Sequence, residues 1–309
     1  MEYKIKDKNI FTDKFIEAYA QALREDYRFF YDDFDEYGKK DVETAIYFIP
    51  GINGTPGQIR FIIPSILKNF GKDVFIKSCQ LDEFAADKFI WDKYKLENLD
   101  KRKDCIVTDL NNLAKKHKRV LIFASSNGFY DFVHAYPDLS DELKQKIEVF
   151  WSAVAPDTFE PTVWEKVFSK INGFKIGEDQ WFAFPNHNLL KFFNPETSMS
   201  HKWKHNHHKK IFQKADLEFR FNCFGFWWGY ASIDRFNKVL NYLTRNHNKK
   251  IDVPVNFLIA TSDGYWQGKS RGEIEKLLDK YCSNKKQIVY KKTSHLWVVV
   301  PNNLVNLDQ

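Results

Sequence analysis

Val120-Leu-Ile-Phe-Ala-Ser-Ser-Asn-Gly-Phe-Tyr130 joins a strand pattern to a helix pattern with almost no loop between them. An apolar β-type run stops at Ala124-Ser125-Ser126-Asn127-Gly128, and a helix-like segment follows at once. Such a layout, with a small residue two positions before and two positions after a central Ser126, is that of a nucleophile elbow. The central residue sits on a strained strand-to-helix turn, and small neighbours avoid a clash across it. Centring the turn on Ser125 instead moves the small residues out of register. The rival reading of Ser126 is a simple helix cap before Gly128.

On either side of this stretch, strands and helices alternate. Ala45–Ile49 is apolar at every position, which suits a strand covered on both faces, as in a parallel sheet. It ends in Pro50-Gly-Ile-Asn-Gly-Thr-Pro-Gly57. A helix is expected next, with Thr55 as cap, Pro56 at the first helical position and Gln58 closing a capping box. Ile59, Ile62, Ile63, Ile66, Leu67 and Phe70 recur at helical spacing, and Pro64 inside that run predicts a kink. Further strands are expected at 73–77, 120–123, 147–153, 253–260 and 287–290. Helices are expected at 108–116, 129–134, 140–146 and 271–281. Strand–helix alternation of this kind predicts an α/β protein with a mostly parallel central sheet and helices on both faces.

Two segments stand outside the rhythm. Residues 11–30 read as an amphipathic helix with Thr12 as cap and Phe15, Ile16, Tyr19 and Leu23 on one face. Residues 157–248 are rich in Phe, Trp, His, Asn and Lys without strand periodicity, and read as an insertion. The expected organisation is therefore a core of residues 1–156 and 249–309 with a mainly helical cap at 157–248. Within the cap, Ile233, Phe236, Val239, Leu240 and Leu243 after Ser232 form an amphipathic helix that packs onto the body.

Composition narrows the functional classes. The chain is 43% hydrophobic and 28% charged, which places it among folded globular proteins. Its aromatic share of 17%, with 29 Phe and 9 Trp, invites an apolar cavity beyond the core. A net charge of +6 over 309 residues is mild and does not call for nucleic acid. The four cysteines (Cys79, Cys105, Cys223, Cys282) form no CxxC pair, so reduced thiols in a cytoplasmic setting are expected. The first residues lack the apolar core of a signal peptide, and no apolar run is long enough to span a bilayer.

With Ser126 after one strand, Asp263 after 253–260 within Thr261-Ser-Asp-Gly-Tyr-Trp266, and His295 after 287–290 within Thr293-Ser-His-Leu-Trp297, the chain resembles the α/β-hydrolase superfamily. The resemblance covers about residues 44–156 and 251–300. It implies a Ser126–His295–Asp263 relay. The imidazole takes the serine proton and later returns it to the leaving group, while the carboxylate fixes the tautomer. Backbone N–H groups of Asn127 and Ile52 would face the developing oxyanion. Asp157 is the rival acid, and Asp263 before Gly264 has the alternative of a plain turn residue. Ala124 stands where the family has glycine, and Pro50-Gly51 where it often has His-Gly. A serine nucleophile disfavours haloalkane and epoxide chemistry, where an aspartate is expected.

The family places a cap after its sixth strand, where residues 157–248 fall. Phe226, Trp227 and Trp266 are candidates to line a substrate pocket, and for the cap rings Phe226 and Trp227 the alternative is that they form the cap's own core. His201-Lys-Trp-Lys-His-Asn-His-His-Lys-Lys210 puts His201, His205 and His208 on one helical face. Lysines surround them and no carboxylate is near, so no metal is expected, and the stretch reads as a basic surface favouring an anionic substrate or carrier. The expected function is hydrolysis of a small-molecule or carrier-bound ester or thioester through an acyl-enzyme, without a cofactor. An acyltransferase using the same triad, and an inactive scaffold used for binding, are the alternatives.

Overall fold

Strands that are apolar on both faces must be covered on both, and the structure does this with one sheet between two layers of helices. The computed structural model describes residues 36–51, 56, 59, 63–80, 95–158, 230–245, 250–260, 266 and 270–291. The N-terminal helix expected at 11–30, most of the 157–248 block and the histidine cluster lie outside these residues.

The described strands are β1 (Glu36–Gly38), β2 (Thr44–Ile49), β3 (Val74–Ser78), β4 (Arg119–Ser125), β5 (Ile147–Ser152), β6 (Val255–Ala260) and β7 (Lys285–Lys291). They form one sheet in the order β1-β3-β2-β4-β5-β6-β7. Only β1 runs antiparallel to its neighbour; the other pairings are parallel. The described helices are α1 (Ile63–Phe70), α2 (Leu96–Lys116), α3 (Gly128–Ala135), α4 (Asp141–Lys144), α5 (Tyr230–Thr244) and α6 (Arg271–Tyr281).

Alternation along each strand divides the core in two. Tyr47, Ile49, Ile122, Ala124, Trp151, Phe257 and Ile259 face the layer of α2, α3, α5 and α6. Ile46, Phe48, Leu121, Phe123, Phe150 and Leu258 face α1. Phe123 and Phe150 stack with ring centroids 4.7 Å apart, and Phe70 of α1 meets both edge-on. Dispersion and apolar burial on both faces thus make the central strands the most deeply buried part of the described chain.

The helix expected after Gly57 is described over Ile63–Phe70, with Pro56 and Ile59 in 3₁₀ conformation, and residues 60–62 lie outside the described residues. Two local expectations are corrected. The helix expected at 108–116 begins at Leu96. Its buried stripe continues upstream through Ile106, Arg102 and Leu99, and the charged run Asp100-Lys-Arg-Lys-Asp104 hid it. The segment expected as helix over 140–146 is helical only over Asp141–Lys144, capped by the Ser140 hydroxyl. Elsewhere the boundaries agree within a residue or two, and α6 carries a Ser270/Glu273 capping box.

The 157–248 block begins after β5, the fifth strand among the described residues. Its last part, α5, lies against α3 and α2, with Val239, Leu240 and Leu243 in the core. The Tyr242 hydroxyl donates to Asp100 Oδ2 of α2 at 2.6 Å.

One carboxylate interrupts the apolar strands. Glu148 of β5 accepts from Arg119 of β4 (2.8 Å), Asn256 of β6 (2.7 Å) and Lys286 of β7 (2.7 Å), tying four strands at the edge opposite the elbow. Burial works against its ionisation, but the donors from Lys286, Arg119 and Asn256 win and hold it below the usual glutamate range. A depressed carboxylate stabilises the fold above its unfolded pKa, and that stability is lost as pH falls through the folded value. Glu148→Gln is therefore expected to lower the urea midpoint at pH 7, with the gap from the parent closing in acid. A gap independent of pH would contradict this.

Candidate active site

The strand order reverses between β2 and β4: from β2 the chain passes outward to β3, and from β4 outward to β5. Crevices of α/β sheets open beyond the carboxyl ends of strands at such a switch point. Here those two ends carry Gly51 and Ser126.

Ser126 has φ of 51°, a left-handed conformation rarely adopted by residues with a side chain. Holding it there costs about 1–3 kcal/mol, so the surroundings must over-determine it. Three contacts do so. The Ser126 N–H donates to the Ser152 carbonyl of β5 at 2.8 Å, continuing the sheet past the end of β4. The Trp151 indole N–H donates to the Ser126 carbonyl at 2.9 Å. That indole is fully buried and stacks on Phe129 of α3 with centroids 3.8 Å apart and planes within 7°.

Smallness around the turn has a steric cause. A methyl group on Gly128 would stand 2.4 Å from the Ile49 carbonyl oxygen and 2.7 Å from that of Pro50. On Gly51 it would stand 2.8 Å from the Ser125 oxygen and 3.0 Å from the Ser126 Cβ. The β2 loop and the elbow thus touch backbone to backbone. Ala124, two residues before Ser126, is fully buried between Ile49 and Trp151 in the sheet register.

The indole contact also aims a donor. In a trans peptide the C=O and the following N–H point in opposite directions. With the Ser126 carbonyl turned toward Trp151, the Asn127 N–H is directed away from the indole. Asn127 lies at the N-cap of α3 in helical geometry, is 4% exposed, and its side-chain oxygen has no partner among the described residues.

Behind the elbow lies a buried ion pair that the sequence reading passed over. Arg102 of α2 meets Asp131 of α3 at 3.1 Å, with both side chains nearly inaccessible to solvent. The same guanidinium donates to the Pro50 carbonyl at 2.9 Å. Arg102 thereby ties the end of β2 to the helix that follows Ser126. The signal was present, an arginine in the apolar stripe Leu99–Ile106–Leu110, but it became readable only with the true start of α2.

Asp157, the rival acid, has its partners on α6. After β5 the chain turns through Ala153, also left-handed at φ 54°. Val154 then accepts from the Trp266 indole at 2.6 Å, and Ala155 accepts from the Tyr130 hydroxyl at 2.7 Å. Asp157 follows, accepting the Tyr281 hydroxyl at 2.7 Å and pairing with Lys280, both of α6. Trp266, a candidate pocket residue, is 9% exposed and belongs to the core layer next to α6. Two described histidines have other partners: His117 with the Val42 carbonyl at 2.7 Å, and His134 with Asp100 at 3.1 Å. Asp263, His295, Ile52, Phe226 and Trp227 lie outside the described residues.

A mostly parallel sheet of this order, with a strained serine between β4 and α3 at its switch point, has the layout of the α/β-hydrolase fold. No protein-family model and no curated protein sequence matches the chain. Among solved structures, an epoxide hydrolase from Vigna radiata is similar at 13% identity, over 87% of this chain and 91% of that one, with a TM-score of 0.48. A deformylase from Pseudomonas putida S16 is similar at 13% identity, over 88% and 92%, with a TM-score of 0.42. A structure from work on two metagenome-derived lipolytic enzymes is similar at 9% identity, over 86% and 90%, with a TM-score of 0.45. Among the described residues no group of side chains has the make-up of a metal site, and no helix is long and apolar enough to cross a membrane.

Asp131 gives a test of the brace. Burial outweighs the attraction of Arg102 and raises its carboxyl to about 6. A raised carboxyl favours the folded state most below its unfolded pKa, and this advantage fades as pH climbs through the folded value. Between about pH 4 and 6 the parent should therefore lose stability as pH rises. Asp131→Asn should lower the melting temperature overall, because Arg102 loses its counter-charge, yet remove that downward slope. An unchanged slope in the variant would assign it to other groups.

Proposed function

We propose that the chain is a serine hydrolase that cleaves a carboxylic ester or thioester through an acyl-enzyme. The observation that carries this reading is the strained Ser126, held at φ 51° between β4 and α3 at the switch point of the sheet. Strain of this kind persists where the surroundings enforce it, and here they bring the serine to the rim where such sheets bind ligands.

In this reading Ser126 attacks the acyl carbon and its proton passes to His295. His295 then protonates the leaving group, and water attacks the acyl-enzyme with the same base. Asp263 orients the imidazole and stabilises its cationic form. Asp263 is preferred to Asp157 because the Asp157 carboxylate is already bonded to Tyr281 and Lys280. The N–H groups of Asn127 and Ile52 stabilise the oxyanion. Residues 157–248 cap the site, with Phe226 and Trp227 against the acyl group; Trp266 has a structural role through its bond to Val154. The serine, in place of a carboxylate nucleophile, favours acyl transfer to water over epoxide opening.

A fluorophosphonate probe should label the parent, and Ser126→Ala should abolish labelling. His295→Ala and Asp263→Asn should lower it strongly, whereas Asp157→Asn should label normally and unfold at a lower temperature. Equal labelling of parent and Ser126→Ala would end the proposal; normal labelling of Asp263→Asn with loss in Asp157→Asn would exchange the two acids.

Trp151→Phe keeps the stack on Phe129 and removes the bond to the Ser126 carbonyl. On a p-nitrophenyl ester it should reduce kcat by about tenfold to a hundredfold, with KM little changed, since a misdirected oxyanion donor acts in the transition state. A change confined to melting temperature would reduce the indole to a packing role.

A further inference from the structure

Two cysteines that are distant in sequence meet between β3 and α2. Cys79, just past the end of β3, is 4% exposed; Cys105, in the middle of α2, is half-buried. Their sulfurs are 3.7 Å apart, with the Cys79 thiol donating to the Cys105 sulfur. We propose that Cys105 and Cys79 form a peroxide-responsive thiol pair, with Cys105 as the attacking sulfur and Cys79 as the resolving one.

The surroundings separate the two roles. Nucleophilic attack on peroxide needs a thiolate that solvent can reach, and capture as a disulfide needs a second thiol close behind it. The hydrogen bond from Cys79 lowers the Cys105 thiol from its ordinary value; burial and the Asp109 carboxylate oppose this, and Lys77 assists. Lys77 pairs with Asp109 at 2.8 Å and Tyr47 donates to the same carboxylate at 3.0 Å, so part of that opposing charge is compensated. Cys79 is raised well above the usual thiol value by its bond to Cys105 and by burial, against a smaller effect of Arg102. It therefore stays a thiol until a partner takes its sulfur. Cys282, by contrast, is buried and pushed up to about 12, which makes it unreactive.

The chemistry closes with hydrogen peroxide as the oxidant. The Cys105 thiolate attacks one peroxide oxygen, the O–O bond breaks, and hydroxide leaves, giving a sulfenic acid. The Cys79 sulfur then attacks the Cys105 sulfur and displaces the sulfenic oxygen, which departs as water with the Cys79 proton. Two thiols are oxidised to one disulfide, and one peroxide is reduced to water. Bond formation brings the two sulfurs from 3.7 Å to about 2.05 Å. The link would form one helical turn from Arg102, on the helix that braces the elbow.

The test uses the full chain and does not depend on hydrolytic activity. Reduced protein is treated with graded hydrogen peroxide, quenched, and examined by intact mass and non-reducing peptide mapping. The expected product has lost two hydrogens, joins the peptides of Cys79 and Cys105, and reverts with dithiothreitol. Cys79→Ser should accumulate a sulfenic acid on Cys105 that dimedone traps, while Cys105→Ser should leave Cys79 unmodified at the same dose. No loss of hydrogens in the parent, or a bridge that uses Cys223 or Cys282 instead, would overturn the proposal. A dimedone adduct on Cys79 in Cys105→Ser would overturn the assignment of roles.

Discussion

Backbone meets backbone where β2 and the start of α3 cross, and the rest of the site depends on that approach. The carbonyl oxygens of Ile49 and Pro50 occupy the space that any side chain at position 128 would need. Because position 128 is glycine, β4 can end and a helix begin within two residues, directly over the end of β2. A larger residue would push α3 away from the sheet and lengthen the turn, and Ser126 would no longer be forced into its left-handed conformation.

Strain at one residue has to be repaid by neighbours, and the neighbours come from every adjoining element. β5 supplies the Ser152 carbonyl and the Trp151 indole, α3 supplies Phe129 to fix that indole, and α2 supplies Arg102 to hold the Pro50 carbonyl against Asp131. Burying an ion pair is rarely the cheapest source of stability. Its use here fits a positional task, since one guanidinium registers the β2 loop against the elbow helix. At the opposite edge of the sheet, Glu148 does comparable work across β4, β5, β6 and β7 with no part in the site.

The two ends of the sheet therefore carry different kinds of polar residue. At the carboxyl ends of β2 and β4 the polar groups are backbone amides and a serine, positioned by packing. At the far end they form a carboxylate network that fixes strand register. α2 connects the site with a third feature, since the helix that carries Arg102 also carries Cys105 beside Cys79.

The central strands were readable in the sequence because residues such as Ala45–Ile49 and Val120–Phe123 are apolar without alternation, and burial on both faces demands just that. The elbow was readable too, since small residues on either side of Ser126 answer a local steric need. Charge masked the rest. Arg102 lies in the charged run Asp100–Asp104, which, taken along the chain, resembles a solvated surface. Only the approach of α2 to α3 and to the end of β2 makes it a buried tie. Asp157 also has partners that the sequence did not reveal. In sequence it was a candidate acid because it follows a strand; in space, the turn at Ala153 carries it to Tyr281 and Lys280. Sequence determined which residues prefer strand, turn and helix, because those preferences arise within a few residues of chain. Tertiary structure alone decided which polar groups meet, because a partner's distance along the chain says nothing of its distance in space.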